Sequence, residues 1–164
     1  MEIHEKFMQR AIGLAEANIK TMDGGPFGSV IVRDGKVLSA EQNTVTRDCD
    51  PTAHAEINAI RAASKKIGKA DLSGCILYTS AEPCPMCLSA IYWSNITQVY
   101  YGNTKRDAEW AGFGDEFITE QLGKKIEDQK INFERILASE AIKAFEKWIA
   151  SEPDFKEKIK DGSM

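Results

Sequence analysis

The sequence predicts an α/β fold, a three-layer α-β-α sandwich on a mixed β-sheet. Three observations carry that expectation. An amphipathic helix pattern opens the chain, a two-residue hairpin signal follows, and short β-rich runs then alternate with helical stretches. The hairpin requires an antiparallel pair and the later alternation requires crossovers, so the sheet is expected to be mixed and not all-parallel. With 164 residues, 43% of them apolar, the chain fits one domain, expected over residues 1–150, whose core needs no disulfide bridges.

Ile3, Phe7, Met8, Ala11, Ile12 and Ala15 recur at intervals of three and four, which predicts a helix over residues 2–20 packed on a sheet. Thr21 to Gly28 (TMDGGPFG) breaks it. Ser29–Val32 and Val37–Ala40 then flank Asp34-Gly35, a dipeptide suited to the left-handed positions of a hairpin turn. Residues 44–52 read as a loop closing on Pro51-Thr52, and residues 53–67 as an Ala-rich helix with Ile57, Ile60 and Ala63 on one face. Cys75–Thr79 (CILYT) reads as a buried strand. A short helix is expected over 84–94, a strand over 96–101, a loop and short helix to about 120, a strand over 132–137 and a last helix over 140–150. The polar tail, residues 151–164, is expected to fray.

Net charge is -4, with no Lys/Arg stripe able to track a phosphate backbone, which disfavours nucleic acid as partner. Lys65, Lys66 and Lys69 fall at an expected helix end, where cations complement the dipole. No window approaches the roughly 18 apolar residues of a membrane-spanning helix, and no secretory leader is evident, so a cytoplasmic protein with reduced thiols is expected.

The chemistry concentrates in His54-Ala55-Glu56 and Pro83-Cys84-Pro85-Met86-Cys87. Cys84 and Cys87, three apart at a helix start, present both sulfurs to one side near unpaired N–H groups that favour the thiolate. With His54 they supply three corners of a tetrahedron. Two thiolates and an imidazole suit Zn2+ best, and three protein ligands leave the fourth position to water, the arrangement of a catalytic site. Glu56, two residues past His54, is then the proton shuttle. Alone, C-x-x-C also reads as a redox pair and H-x-E arises by chance; together at two helix starts they point to a hydrolytic zinc site. Cys49 offers a fourth ligand that would close the site and leave Glu56 without a task. His4, in the opening helix, reads as solvated or capping.

The H-x-E and P-C-x-x-C pair is the signature of zinc deaminases. The chain thus resembles the cytidine-deaminase-like superfamily, and within it the small bacterial guanine deaminases. The resemblance runs through Gly24–Gly28, Asn43, Asp50–Glu56, Ile76–Ser80, Glu82–Cys87, Ala90–Trp93 and Ala111–Asp115. It implies a five-stranded mixed sheet, one zinc per subunit, and a homodimer exchanging its C-terminal segment. It implies His54, Cys84 and Cys87 as zinc ligands and Glu56 as acid/base. It also places Asn43 and the Ala55 N–H against a purine base, Phe27 and Trp93 on its faces, His54 beside it, and Asp115 at its polar edge, assisting the second proton transfer. The implied reaction is attack of activated water at C2 of guanine, giving xanthine and ammonia. Close relatives of this type end in a tyrosine that closes the site. Here no tyrosine follows Tyr101, and Phe155 is the tail's aromatic. Guanosine, aminotriazine and cytosine remain alternative substrates; a tRNA adenosine deaminase and a non-catalytic zinc-stabilised binding protein are the rival functions.

Overall fold

The computed structural model describes residues 2–152. They divide into two compact units, one ending at Thr119 and one beginning at Glu120. The first holds the sheet. Helix α1 (Glu2–Thr21) leads into the hairpin β1 (Gly28–Arg33) and β2 (Lys36–Gln42), then the single turn α2 (Val45–Asp48) and helix α3 (Ala55–Ile67). Strand β3 (Ile76–Ala81), helix α4 (Pro85–Trp93), strand β4 (Gln98–Asn103) and helices α5 (Lys105–Trp110) and α6 (Glu116–Leu122) follow. Asp34 and Gly35, at φ 50° and 70°, make the hairpin turn that their side chains permit.

Strand order is β2-β1-β3-β4, with β1 antiparallel to both neighbours and β3 parallel to β4, so the mixed sheet is borne out. Alternation along each strand sends side chains to opposite faces and makes two apolar clusters. Val30, Val32 and Tyr78 meet Phe7 and Ala11 of α1, while Ile31 and Leu77 meet Ala59 and Ala63 of α3 and Ile91 of α4. Helices therefore cover both faces. Gly28 is what lets α1 lie close: a Cβ there would stand 2.3 Å from Ala11 O and 2.6 Å from Leu14 Cβ.

The expected fifth strand is not there. Among the described residues the sheet has four strands, and residues 132–137 have no regular structure and are mostly exposed. β-rich composition makes a strand only where a neighbour takes its backbone N–H and C=O groups, and residues 132–137 pair with none of the four strands. In the second unit a 3-10 turn (Ile126–Asp128) precedes helix α7 (Ala138–Ser151). The tail beyond residue 152, with Phe155, lies outside the described residues. No helix among the described residues is long and apolar enough to cross a membrane.

Candidate active site

The site lies where β2 and β3 run out into the starts of α3 and α4. His54 is the N-cap of α3 and Cys84 the N-cap of α4, both in extended backbone, and Pro85 occupies the first helical position, where a missing N–H costs nothing. The Cys84 sulfur accepts from Cys87 N at 3.5 Å, a thiolate substituting for the usual hydroxyl cap. Both helix starts aim free N–H groups and a positive dipole end at one point.

His54 Nδ1 stands 3.6 Å from Cys84 Sγ and 3.6 Å from Cys87 Sγ. A tetrahedral ion about 2.3 Å from sulfur and about 2.0 Å from nitrogen sets those atoms roughly 3.5 Å apart, so the donor set fits zinc in both chemistry and spacing. The three ligand atoms all lie within 4.8 Å of one another, and both cysteines are free thiols. Cys49 is exposed and outside this cluster, with its sulfur turned to Thr46 O. The hydrogen bond from Cys87, with help from His54, pulls the Cys84 thiol down to about 4, while Cys84 and burial push Cys87 up. Neighbouring thiolates repel, and a dication between them is what stabilises the doubly ionised pair. His54 is raised, first by its hydrogen bond to Cys84.

Glu56 is 5% exposed on the first turn of α3. Thr79 Oγ1 donates to its Oε1 at 3.1 Å, and Ser29 Oγ donates to Thr79 at 3.0 Å. The other oxygen, Oε2, lies 3.5 Å from Cys87 Sγ. Burial, before any other cause, raises the Glu56 carboxyl above its usual range, which suits a group that must both take and give a proton near neutrality.

A cavity of about 530 Å³ opens onto this cluster. Its lining includes His54, Glu56, Asn43, Phe27 and Asp115, so the structure brings together most of the residues singled out from sequence. Asn43 is held at its backbone N–H and carbonyl and at its Oδ1. Its N–H donates to Phe27 O, its carbonyl accepts from Asn18 Nδ2 at 2.9 Å, and its Oδ1 accepts from Val45 N. Ala55 is fully buried as the first residue of α3, where an N–H has no acceptor within its own helix.

Ala55 and Cys87 are buried behind the lining, and Trp93 stands away from it altogether. It ends α4, is 82% exposed and is absent from the cavity lining, because the helix phase that aims Cys84 and Cys87 inward turns its last residue to solvent. The aromatic partner of Phe27 is Phe113, edge-on at a centroid distance of 5.1 Å. Sequence reasoning also missed Lys105, which lines the cavity and places Nζ 3.7 Å from Asp115 Oδ1. Topology held the signal. Ala81 pairs with Asn103 at the carboxyl ends of two adjacent parallel strands, so residues just past β4 arrive beside those just past β3. His4 is half-buried, and its Nδ1 meets Tyr78 OH at 2.7 Å.

A buried carboxylate beside a three-donor metal cluster at paired helix starts is the chemistry of hydrolytic zinc enzymes, and the chain belongs to the cytidine and deoxycytidylate deaminase zinc-binding family, whose pattern matches residues 1–103. Similarity to individual members is uneven. Guanine deaminase of Bacillus subtilis (strain 168) is 48% identical over 145 residues, 88% of this chain and 93% of that protein. The X-ray structure of guanine deaminase from Bacillus subtilis aligns with a TM-score of 0.86, covering 88% of this chain and 92% of that one. A structure of guanine deaminase from Nitrosomonas europaea aligns at 35% identity and a TM-score of 0.63, over 66% and 63% of the two chains. A tRNA-specific adenosine deaminase of Agrobacterium fabrum is 44% identical over only 80 residues, 49% of this chain and 53% of that protein.

Proposed function

We propose that this protein hydrolyses guanine to xanthine and ammonia in the cytoplasm, with zinc held by His54, Cys84 and Cys87. The observation that carries the reading is the buried Glu56 carboxyl, which lines the cavity beside the cluster without being one of its three donors, together with 48% identity to a guanine deaminase along nearly its whole length.

Zinc, when bound, lowers the pKa of a water towards about 7 and so provides a nucleophile at neutral pH. Glu56 accepts a proton as that oxygen bonds to guanine C2, and delivers it to N3. A second proton carried by Glu56 converts the amino group into departing ammonia, and the C2–N bond breaks as the C2 carbonyl of xanthine forms. The two protons of one water are thereby distributed between N3 and ammonia. Asn43 and the Ala55 N–H hydrogen-bond the base beside His54, and the Phe27 ring covers one face. Phe113 meets Phe27 edge-on and takes the place expected of Trp93. Asp115 accepts from the N–H groups at the polar edge and assists the second transfer.

The working form is a homodimer. Helix α7 supports this with Ile142, Phe145 and Ile149 exposed at helical spacing, an apolar stripe suited to a second copy exchanging its C-terminal segment. Light scattering that gives one chain per particle would remove the dimer. For the reaction, zinc-loaded protein is offered guanine, guanosine, adenine, cytosine and a tRNA anticodon stem-loop. Ammonia from guanine alone is expected, and ammonia from another of these instead would reassign the pocket.

A further inference from the structure

The two oxygens of Glu56 have different surroundings. Oε1 faces Thr79 on β3, and Oε2 faces Cys87. Thr79 and Ser29 are fully buried and sit directly opposite each other across the β1–β3 pairing. Neither touches the base in the mechanism above. Thr79 Oγ1 donates to Oε1, so the single hydrogen of its hydroxyl is committed there. Thr79 Oγ1 must then act as acceptor for its neighbour, and Ser29 Oγ donates to it at 3.0 Å. The result is a one-way chain of donors, Ser29 to Thr79 to Glu56, that enters the carboxylate from the sheet and fixes its rotation.

We propose that Thr79, oriented by Ser29, is a positioning residue that holds the Glu56 carboxyl by Oε1 and so keeps Oε2 turned to the ligand cluster. This rests on the reading of Glu56 as proton carrier. It also explains why two hydroxyls lie in the sheet interior between apolar clusters: their polarity is directed at the Glu56 carboxyl. A carboxylate free to rotate would spend much of its time with neither oxygen aimed at the ligand cluster, and turnover, more than binding, would suffer.

The test uses full-length, zinc-loaded protein with Thr79→Val, Thr79→Ser and the double change Ser29→Ala/Thr79→Val. The double variant removes both hydroxyls, so none is left buried without a partner if Thr79→Val alone folds poorly. Thr79→Val and the double variant are expected to lose about 10- to 100-fold in kcat on guanine, with KM and zinc per chain unchanged, while Thr79→Ser recovers most of the loss. Folded, zinc-replete Thr79→Val with kcat within about twofold of the parent overturns the proposal, as does a loss shared equally by KM and zinc content. A parent silent on guanine sinks the substrate assignment instead. The crystal structure of Thr79→Val then decides the positioning claim separately, supporting it if the carboxylate has rotated and overturning it if Oε2 still faces Cys87.

Discussion

Asn18 shows how a residue remote from the chemistry can set the shape of the cavity. It is fully buried on α1, continuing the stripe of Phe7, Ala11 and Ala15, and its Nδ2 donates to Gly25 O at 2.7 Å and Asn43 O at 2.9 Å. Both acceptors are carbonyls, which settles the amide's orientation. Gly25 and Asn43 line the cavity on either side of Phe27. Replacing Asn18 with Leu keeps the branched outline and removes both donors, and with them the acceptor of the Thr21 hydroxyl. Asn43 O then has no donor and loses about 1–3 kcal/mol, whereas Gly25 O keeps Phe27 N at 2.8 Å and loses only about 1 kcal/mol. The sum is about 2–4 kcal/mol. At about 4 °C per kcal/mol for a unit of this size, the melting temperature should fall by about 8–16 °C. Because Asn43 and Phe27 shift together, KM for guanine should rise more than kcat falls. Calorimetry and steady-state ammonia release read the two effects. A melting temperature within about 2 °C of the parent, with KM unchanged, would refute the clamp.

Other perturbations follow from the same geometry. Gly28→Ala drives a Cβ into the Ala11 carbonyl and the Leu14 side chain, so α1 must move; a loss of about 3 kcal/mol is expected by urea denaturation. Stripping zinc with a chelator should abolish turnover and lower the melting temperature, and zinc added back at about 100 times its Kd should restore about 2.7 kcal/mol, read by thermal melts at several zinc concentrations. The Asp107 carboxyl is held below the usual range, first by the Thr104 hydroxyl and then by the Thr104 N–H. Its folded pKa is lower than its unfolded one, so this cap's contribution to α5 is complete above the ordinary carboxylate value and is lost as pH falls through the lowered one. An NMR titration of the Asp107 side-chain carbon should show that lowered midpoint, and Thr104→Ala, which removes the hydroxyl but keeps the backbone N–H, should raise it part of the way to the ordinary value.

Local rules made most of this molecule legible in the sequence. The α1 stripe, the Asp34-Gly35 turn and the two helix starts bearing His54 and Cys84 each depend on residues within a few positions of one another, and each stands within two residues of where the pattern put it, with His54 and Cys84 as N-caps and not inside the helices. The metal cluster was legible for the same reason: short-range spacing aims the donors, and only their meeting needed the fold. What escaped depended on distant neighbours. Residues 132–137 have strand-like composition but no partner in the ladder. Trp93 looked like a ring for the base, yet the phase of α4, set by the buried Cys87 and Ile91, decides which way it points. Asn18 breaks the apolar pattern of α1 and reads as surface until its two carbonyl partners are seen, and Lys105 enters only through the parallel register of β3 and β4.

The most direct test of the central claim compares zinc-loaded parent protein with Glu56→Ala on guanine, following xanthine and ammonia together and measuring zinc in both. Xanthine and ammonia in equal amounts from the parent, with none from a variant that still holds its zinc, is the predicted result. Undiminished turnover by the zinc-replete variant, or no product from the parent, would contradict it.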